Sequence, residues 1–192
     1  MMKDLFKKSL LAAGVAMMLT GCGTTEAESQ EAALETQQQE LLAACTDTTE
    51  LEEVAEHACS HAVYGPFQSV TASPLGTVSF VDVSLPHTAY VVTLPAKTNG
   101  CGYGGAVMFT AEESGEYAFL LSRVRGLRIF QGDVEITREC RYSIPSEICS
   151  DLRTAIIADL EAGQDYRLEF ESITAANAQF TLLVEEAGHH HE

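Results

Sequence analysis

The feature that most constrains the fold is a change of hydrophobic period at Gly65-Pro66. Before it, Leu51, Val54, Ala55, Ala58 and Ala62 recur at the three- and four-residue spacing of one helix face, and Asp47 with Glu50 or Thr49 with Glu52 offers a capping box. This spacing predicts a helix over Thr49–Ala62, ended by Gly65-Pro66. After it the period drops to two. Tyr90, Val92 and Leu94 alternate with Val91 and Thr93; Tyr117, Phe119 and Leu121 repeat the pattern; Tyr166, Leu168 and Phe170 alternate with Arg167, Glu169 and Glu171. Successive side chains of a strand point to opposite faces, so these are half-buried strands. Val107–Thr110, Leu127–Phe130, Val134–Thr137, Thr154–Leu160 and Phe180–Glu185 add more, with turn signals at Ser114-Gly115-Glu116, Gln131-Gly132-Asp133 and Ala162-Gly163-Gln164-Asp165. Eight to ten short strands between Phe67 and Val184, about enough chain for one domain, predict a mainly β fold: an antiparallel β-sandwich of jelly-roll or Greek-key type, preceded by one or two short α-helices. The weaker helix candidate, Gln30–Ala44, has strong helix formers but only Leu34, Leu41 and Leu42 as large apolar residues.

At the N-terminus Lys3, Lys7 and Lys8 precede Leu10–Thr20, an apolar stretch too short to span a bilayer and typical of a signal peptide. It ends in Leu19-Thr20-Gly21-Cys22, which resembles the lipobox of bacterial lipoproteins. The resemblance implies cleavage before Cys22, diacylglycerol on its thiol and a further acyl chain, such as palmitate, on its new amine. More than one chain makes anchoring stable. The competing expectation is ordinary secretory cleavage with a free Cys22. The chain then divides into a signal peptide (1–21), an acidic tether expected to be disordered (22–30), a helical segment (31–66), the sandwich (67–186) and a His-rich tail (187–192). Gly23 after Cys22 resembles lipoproteins sent to an outer membrane. The expected location is therefore the extracytoplasmic cell envelope, at the periplasmic face or the cell surface.

Charge removes some functions. The formal net charge is −17, and without residues 1–21 Lys+Arg falls to 8 and Asp+Glu to 27, a net −19 with Lys97 the last lysine. Such a chain has no basic stripe to follow phosphates, so nucleic acid is excluded as an expected partner. Acidity otherwise accounts for solubility at a membrane surface.

Tyr90–Leu94, Gly105-Ala106-Val107-Met108-Phe109, Ser114–Phe119, Asp159–Leu168 and Phe180–Val184 together resemble bacterial pre-peptidase C-terminal domains, over roughly residues 88 to 185. Similar uncharacterised lipoproteins carry a Cys/His segment before Gly-Pro, as His57-Ala58-Cys59-Ser60-His61 precedes Gly65-Pro66 here. The resemblance implies a non-catalytic accessory or binding module.

With Cys22 lipidated, Cys45, Cys59, Cys101, Cys140 and Cys149 remain, an odd number in a compartment where disulfides persist. A helix over Thr49–Ala62 holds Cys45 and Cys59 near opposite ends, roughly 20 Å apart, which disfavours that pair. Two arrangements stay open: Cys140 with Cys149, closing a local loop, or Cys59 with Cys149, stapling the helix to the sandwich and leaving Cys101 near Cys140.

His57 and His61 stand four apart on the helix, a spacing that lets two imidazoles reach one metal ion; Cys59 falls on the other flank of the apolar stripe. The alternative is that both histidines complement the helix C-terminus and bond its free carbonyls. His189, His190 and His191 form a short tract of the kind that binds zinc or another divalent transition metal, or else a solvated tail. His87 precedes the Tyr90 strand and joins them if the sandwich brings that strand's start to the helix end. The glycine-rich run Thr98–Gly105 links two strands and lacks the helix N-terminus of a phosphate site. With no Gly-x-Ser-x-Gly elbow and no His-Glu-x-x-His helix, the expectation is not an enzyme but a binding or display protein with a possible metal site and an unknown protein partner. The rival expectations are a structural envelope lipoprotein, or an accessory subunit of a secreted enzyme or transporter, with no metal site.

Overall fold

The computed structural model describes residues 42–98, 100–123 and 126–188. The signal peptide, Cys22, the tether, most of the first helix candidate and His189–His191 lie outside them.

Among the described residues one helix, α1 (Thr49–Tyr64), precedes the strands β1 (Phe67–Thr71), β2 (Ser73–Pro74), β3 (Ala89–Thr93), β4 (Tyr103–Thr110), β5 (Gly115–Leu121) and β6 (Leu127–Gln131). Then come β7 (Val134–Glu135), β8 (Cys140–Ser143), β9 (Thr154–Leu160), β10 (Asp165–Ser172), a 3₁₀ turn (Ala175–Asn177) and β11 (Gln179–Glu186). They form two sheets, ordered β1-β3-β11-β5-β9-β8 and β2-β4-β10-β6-β7, antiparallel except for the β1–β3 pair. The expected β-sandwich is the fold.

The period-two residues meet between the sheets: Tyr90, Val92, Phe119, Leu121 and Leu182 from one face Val107, Ile129, Leu168 and Phe170 from the other. The outer side of the second sheet is polar, with Arg167 Nε 2.9 Å from Glu169 Oε1 and Arg128 Nη2 2.9 Å from Glu135 Oε2. The first sheet differs, because its outer face is also apolar. Ala118, Leu120, Ile157 and Leu183 lie there, and α1 covers them with Leu51, Ala55 and Ala58. Alanine at two of these helix positions lets the helix sit close to the sheet.

The helix runs two residues past the expected end, to Tyr64, and Gly65 caps it with a positive φ of 81°. A side chain there would place its Cβ 2.8 Å from the Phe67 ring, so glycine is required for both conformation and space. Neither expected capping box forms. The N-cap is Thr48, which puts Leu51 rather than a glutamate at the third helical position, and Asp47 Oδ1 instead accepts the Thr49 N–H at 3.2 Å. Residues 42–44 are not helical; Ala44 pairs with Arg141 alongside β8, covering that sheet edge. The expected strand Val134–Thr137 shortens to Val134–Glu135 because the chain then crosses to the other sheet to enter β8.

Among the described residues two disulfides hold the N-terminal region to the sandwich: Cys45–Cys140 and Cys59–Cys149. The staple from helix to sandwich is present. The Cys140–Cys149 loop closure is not, and Cys140 takes Cys45 rather than Cys101 as its partner. Sequence spacing passed over Cys45 because its position on the β8 edge depends on a backbone pairing formed only in the fold.

Candidate metal centre

Helix α1 ends over the outer face of the first sheet, and three histidines gather beneath that end. His57 and His61, one turn apart, bring their ring centroids within 4.9 Å of each other. His87 comes from the turn before β3. Its ring lies 5.0 Å from His57 and 5.1 Å from His61, centroid to centroid. The β3–β11 ladder pairs Tyr90 with Leu182. Continuing that antiparallel register three further pairs sets His87 opposite Glu185, and their side chains meet with His87 Nδ1 3.1 Å from Glu185 Oε2.

The ligand-capable atoms converge closely. His57 Nε2 lies 3.2 Å from His87 Nδ1 and 3.3 Å from His61 Nε2. All four donors, from His57, His61, His87 and Glu185, fall within 4.8 Å of one another. Hydrogen bonding alone accounts poorly for this arrangement. A neutral ring nitrogen carries either one proton or one lone pair, yet His57 Nε2 faces two nitrogens at once and His87 Nδ1 faces a nitrogen and a carboxylate. A tetrahedral ion with bonds of 2.0–2.1 Å separates its ligands by about 3.3 Å. The three close contacts have that length.

Neighbouring groups orient the donors. His61 Nδ1 sits 3.2 Å from the Gly65 carbonyl, which accepts its proton and leaves the Nε2 lone pair directed into the cluster. This is the carbonyl contact expected of a histidine at a helix C-terminus, and it coexists with the cluster. Among the described residues His87 is the one non-glycine with a positive φ, 53°, and Thr88 Oγ1 donates to Pro86 O across the same turn at 3.1 Å. Glu185 is 8% exposed. Burial pushes its carboxyl up to about 7; His61 lowers it and the neighbouring Glu186 raises it further. Its Oε1 is buried without a hydrogen-bond partner.

The structure therefore brings together His57, His61 and His87. Cys59, between the two helical histidines, is bridged to Cys149 and takes no part. Sequence reasoning missed Glu185. The signal was present at the end of β11, where Glu185 stands between Leu183 and Ala187, the residue just past the strand, so that a carboxylate occupies an otherwise apolar stripe. A second acidic group, Glu116, Glu139 and Asp159, lies on the exposed surface. There Glu139 is pushed up to about 7, first by its hydrogen bond with Glu116, then by burial and by Asp159.

Comparison with known protein families and with curated proteins finds no match to this chain.

Proposed function

We propose that this protein is a lipid-anchored, extracytoplasmic β-sandwich that binds a divalent transition metal, zinc foremost, through His57, His61, His87 and Glu185. The observation that carries the metal reading is the set of donor–donor contacts at 3.1, 3.2 and 3.3 Å, the edge lengths of a tetrahedral site. Three imidazoles and one carboxylate suit a borderline ion better than magnesium or calcium, which prefer all-oxygen sites. Four protein ligands fill a tetrahedron and leave no position for a reacting water, so the metal is held rather than used in catalysis. The anchoring reading rests on the lipobox at Cys22, and the module reading on the resemblance to pre-peptidase C-terminal domains.

Zinc titration of untagged, chelator-stripped protein followed by calorimetry tests the metal reading. Binding of one zinc per chain is expected at neutral pH, weakening near pH 5 as imidazoles protonate. His61→Ala and His87→Ala should each lower affinity about a hundredfold or more, since each removes a direct ligand. Deleting residues 189–192 should leave the one-to-one site in place. Binding that vanishes with the tail and ignores both substitutions would replace this reading with a structural envelope protein whose tail chelates weakly. Cys22→Ala should release the protein from the membrane fraction; retention after a salt wash would refute the anchor.

A further inference from the structure

Beside the donors, the seam between the first turns of α1 and the end of the sandwich encloses a cavity of about 460 Å³, the size of a small-molecule site. Val54, Phe109, Tyr117 and Val184 give it apolar walls, and the Phe109 and Tyr117 rings meet edge to face at 5.4 Å. Glu50, Glu53, Glu112 and Glu186 also line it, and among the described residues no lysine or arginine does. One wall is shared with the histidine cluster through His57, His87 and Glu185. The decisive features are the cavity's shape and charge, with four carboxylates standing around apolar walls.

We infer that this cavity binds an alkyl-ammonium ligand, an amine carried on an apolar chain, supplied either as a free diamine or as the lysine side chain of a peptide. The carboxylates repel anionic ligands and stabilise a cation. The methylene chain has apolar walls to lie against, and aromatic faces attract an ammonium. An ammonium has three donors and no acceptor, which matches a site offering carboxylate oxygens. The inference rests on the cavity and holds for the metal-free protein, so it stands apart from the zinc reading.

The test is calorimetric titration of chelator-treated protein at physiological salt with cadaverine, with N-acetyl-lysine amide and with the neutral diol analogue of cadaverine. Saturable binding of either amine without the diol supports the inference, and whichever amine binds more tightly identifies the source. The paired change Glu50→Gln with Glu53→Gln should weaken the preferred amine about fivefold, the effect of two partly screened charges. Glu147→Gln with Asp151→Asn removes the same charge from the β8–β9 loop and should leave affinity within about twofold. Equal weakening by the two pairs, equal binding of the diol, or no saturable binding of either amine overturns the inference. A separate zinc titration of the same protein separates the readings: amine binding where zinc fails to bind counts against the metal site alone, and zinc binding where neither amine binds counts against this inference alone.

Discussion

Replacing Cys59 and Cys149 by alanine should destabilise the protein by an amount set by the other disulfide. The bridge joins residues 90 apart in sequence. In an otherwise unlinked chain, closing a loop of that size removes denatured-state entropy worth about 4.6 kcal/mol. Here Cys45–Cys140 already shortens the path. From Cys59 the chain runs back to Cys45, across that bridge, and on from Cys140 to Cys149, a cycle of about two dozen residues worth roughly 3.5 kcal/mol. The same cycle governs the reverse experiment, so Cys45→Ala with Cys140→Ala should also cost about 3.5 kcal/mol. Removing both bridges should cost about 8 kcal/mol, roughly 1 kcal/mol more than the two separate losses together.

Urea unfolding of oxidised, chelator-treated protein measures these differences, and a melt should show roughly a 10 °C fall for either single-bridge variant. Alanine is preferred to serine because Cys149 is 2% exposed, and a hydroxyl there would be buried. A loss below about 1 kcal/mol from opening Cys59–Cys149 would refute the loop argument. So would a double-bridge loss smaller than the two single losses combined, because the shared cycle requires the second opening to cost more.

Glu185→Gln should act with opposite sign in the two metal states. In metal-free protein the raised carboxyl, about 7 folded, contributes stability fully present below its unfolded value and lost as pH rises through about 7. The glutamine variant should therefore gain on the wild type between pH 5 and pH 8.5, by up to about 3 kcal/mol in urea unfolding, and lose to it when zinc is added; a difference independent of pH would contradict the burial argument. Glu139→Gln has the same sign, because Glu116 and Asp159 press its carboxyl up to about 7. Its melting temperature should exceed the wild type's at pH 8 and not at pH 5, and equal gains at both would show that the three acids do not interact. Gly102→Ala should cost about 1–3 kcal/mol, since φ is 93° and the new Cβ would lie 2.4 Å from the Ser172 carbonyl oxygen; an unchanged melt would mean that the loop relaxes freely.

Strands were legible where one face is buried. Thr154–Leu160 coincides with β9 end to end, and Tyr166, Leu168 and Phe170 enter the core while Arg167 and Glu169 pair on the polar face of the second sheet. What alternation does not convey is that the first sheet is buried on both sides. Ala118 and Leu120 in β5, and Leu183 in β11, read as the lesser face of half-buried strands, yet α1 covers them. The helix itself was legible from its apolar stripe, but the stripe names a face and not the surface it packs on. Strand pairing decides that surface, and pairing depends on residues far apart in the chain.

The same gap explains why the histidines of the site were legible and its carboxylate was not. His57 and His61 lie one turn apart on a single element, so helical geometry alone brings them together. His87 and Glu185 are 98 positions apart, and they meet because β3 and β11 are neighbours with Tyr90 opposite Leu182. On an open sheet face that pair would be a solvated contact between exposed side chains. Beneath α1 it becomes a buried carboxylate beside three imidazoles, with its charge disfavoured unless a cation is at hand. The covering helix thus creates the electrostatic need and also supplies, through His57 and His61, half of the four donor groups gathered there. An ion bound there would tie α1 to β11 and to the turn before β3. The Cys59–Cys149 bridge ties the same helix to the β8–β9 loop. Both constraints bear on the last two turns of α1, so the helix is held at the end that carries the donors.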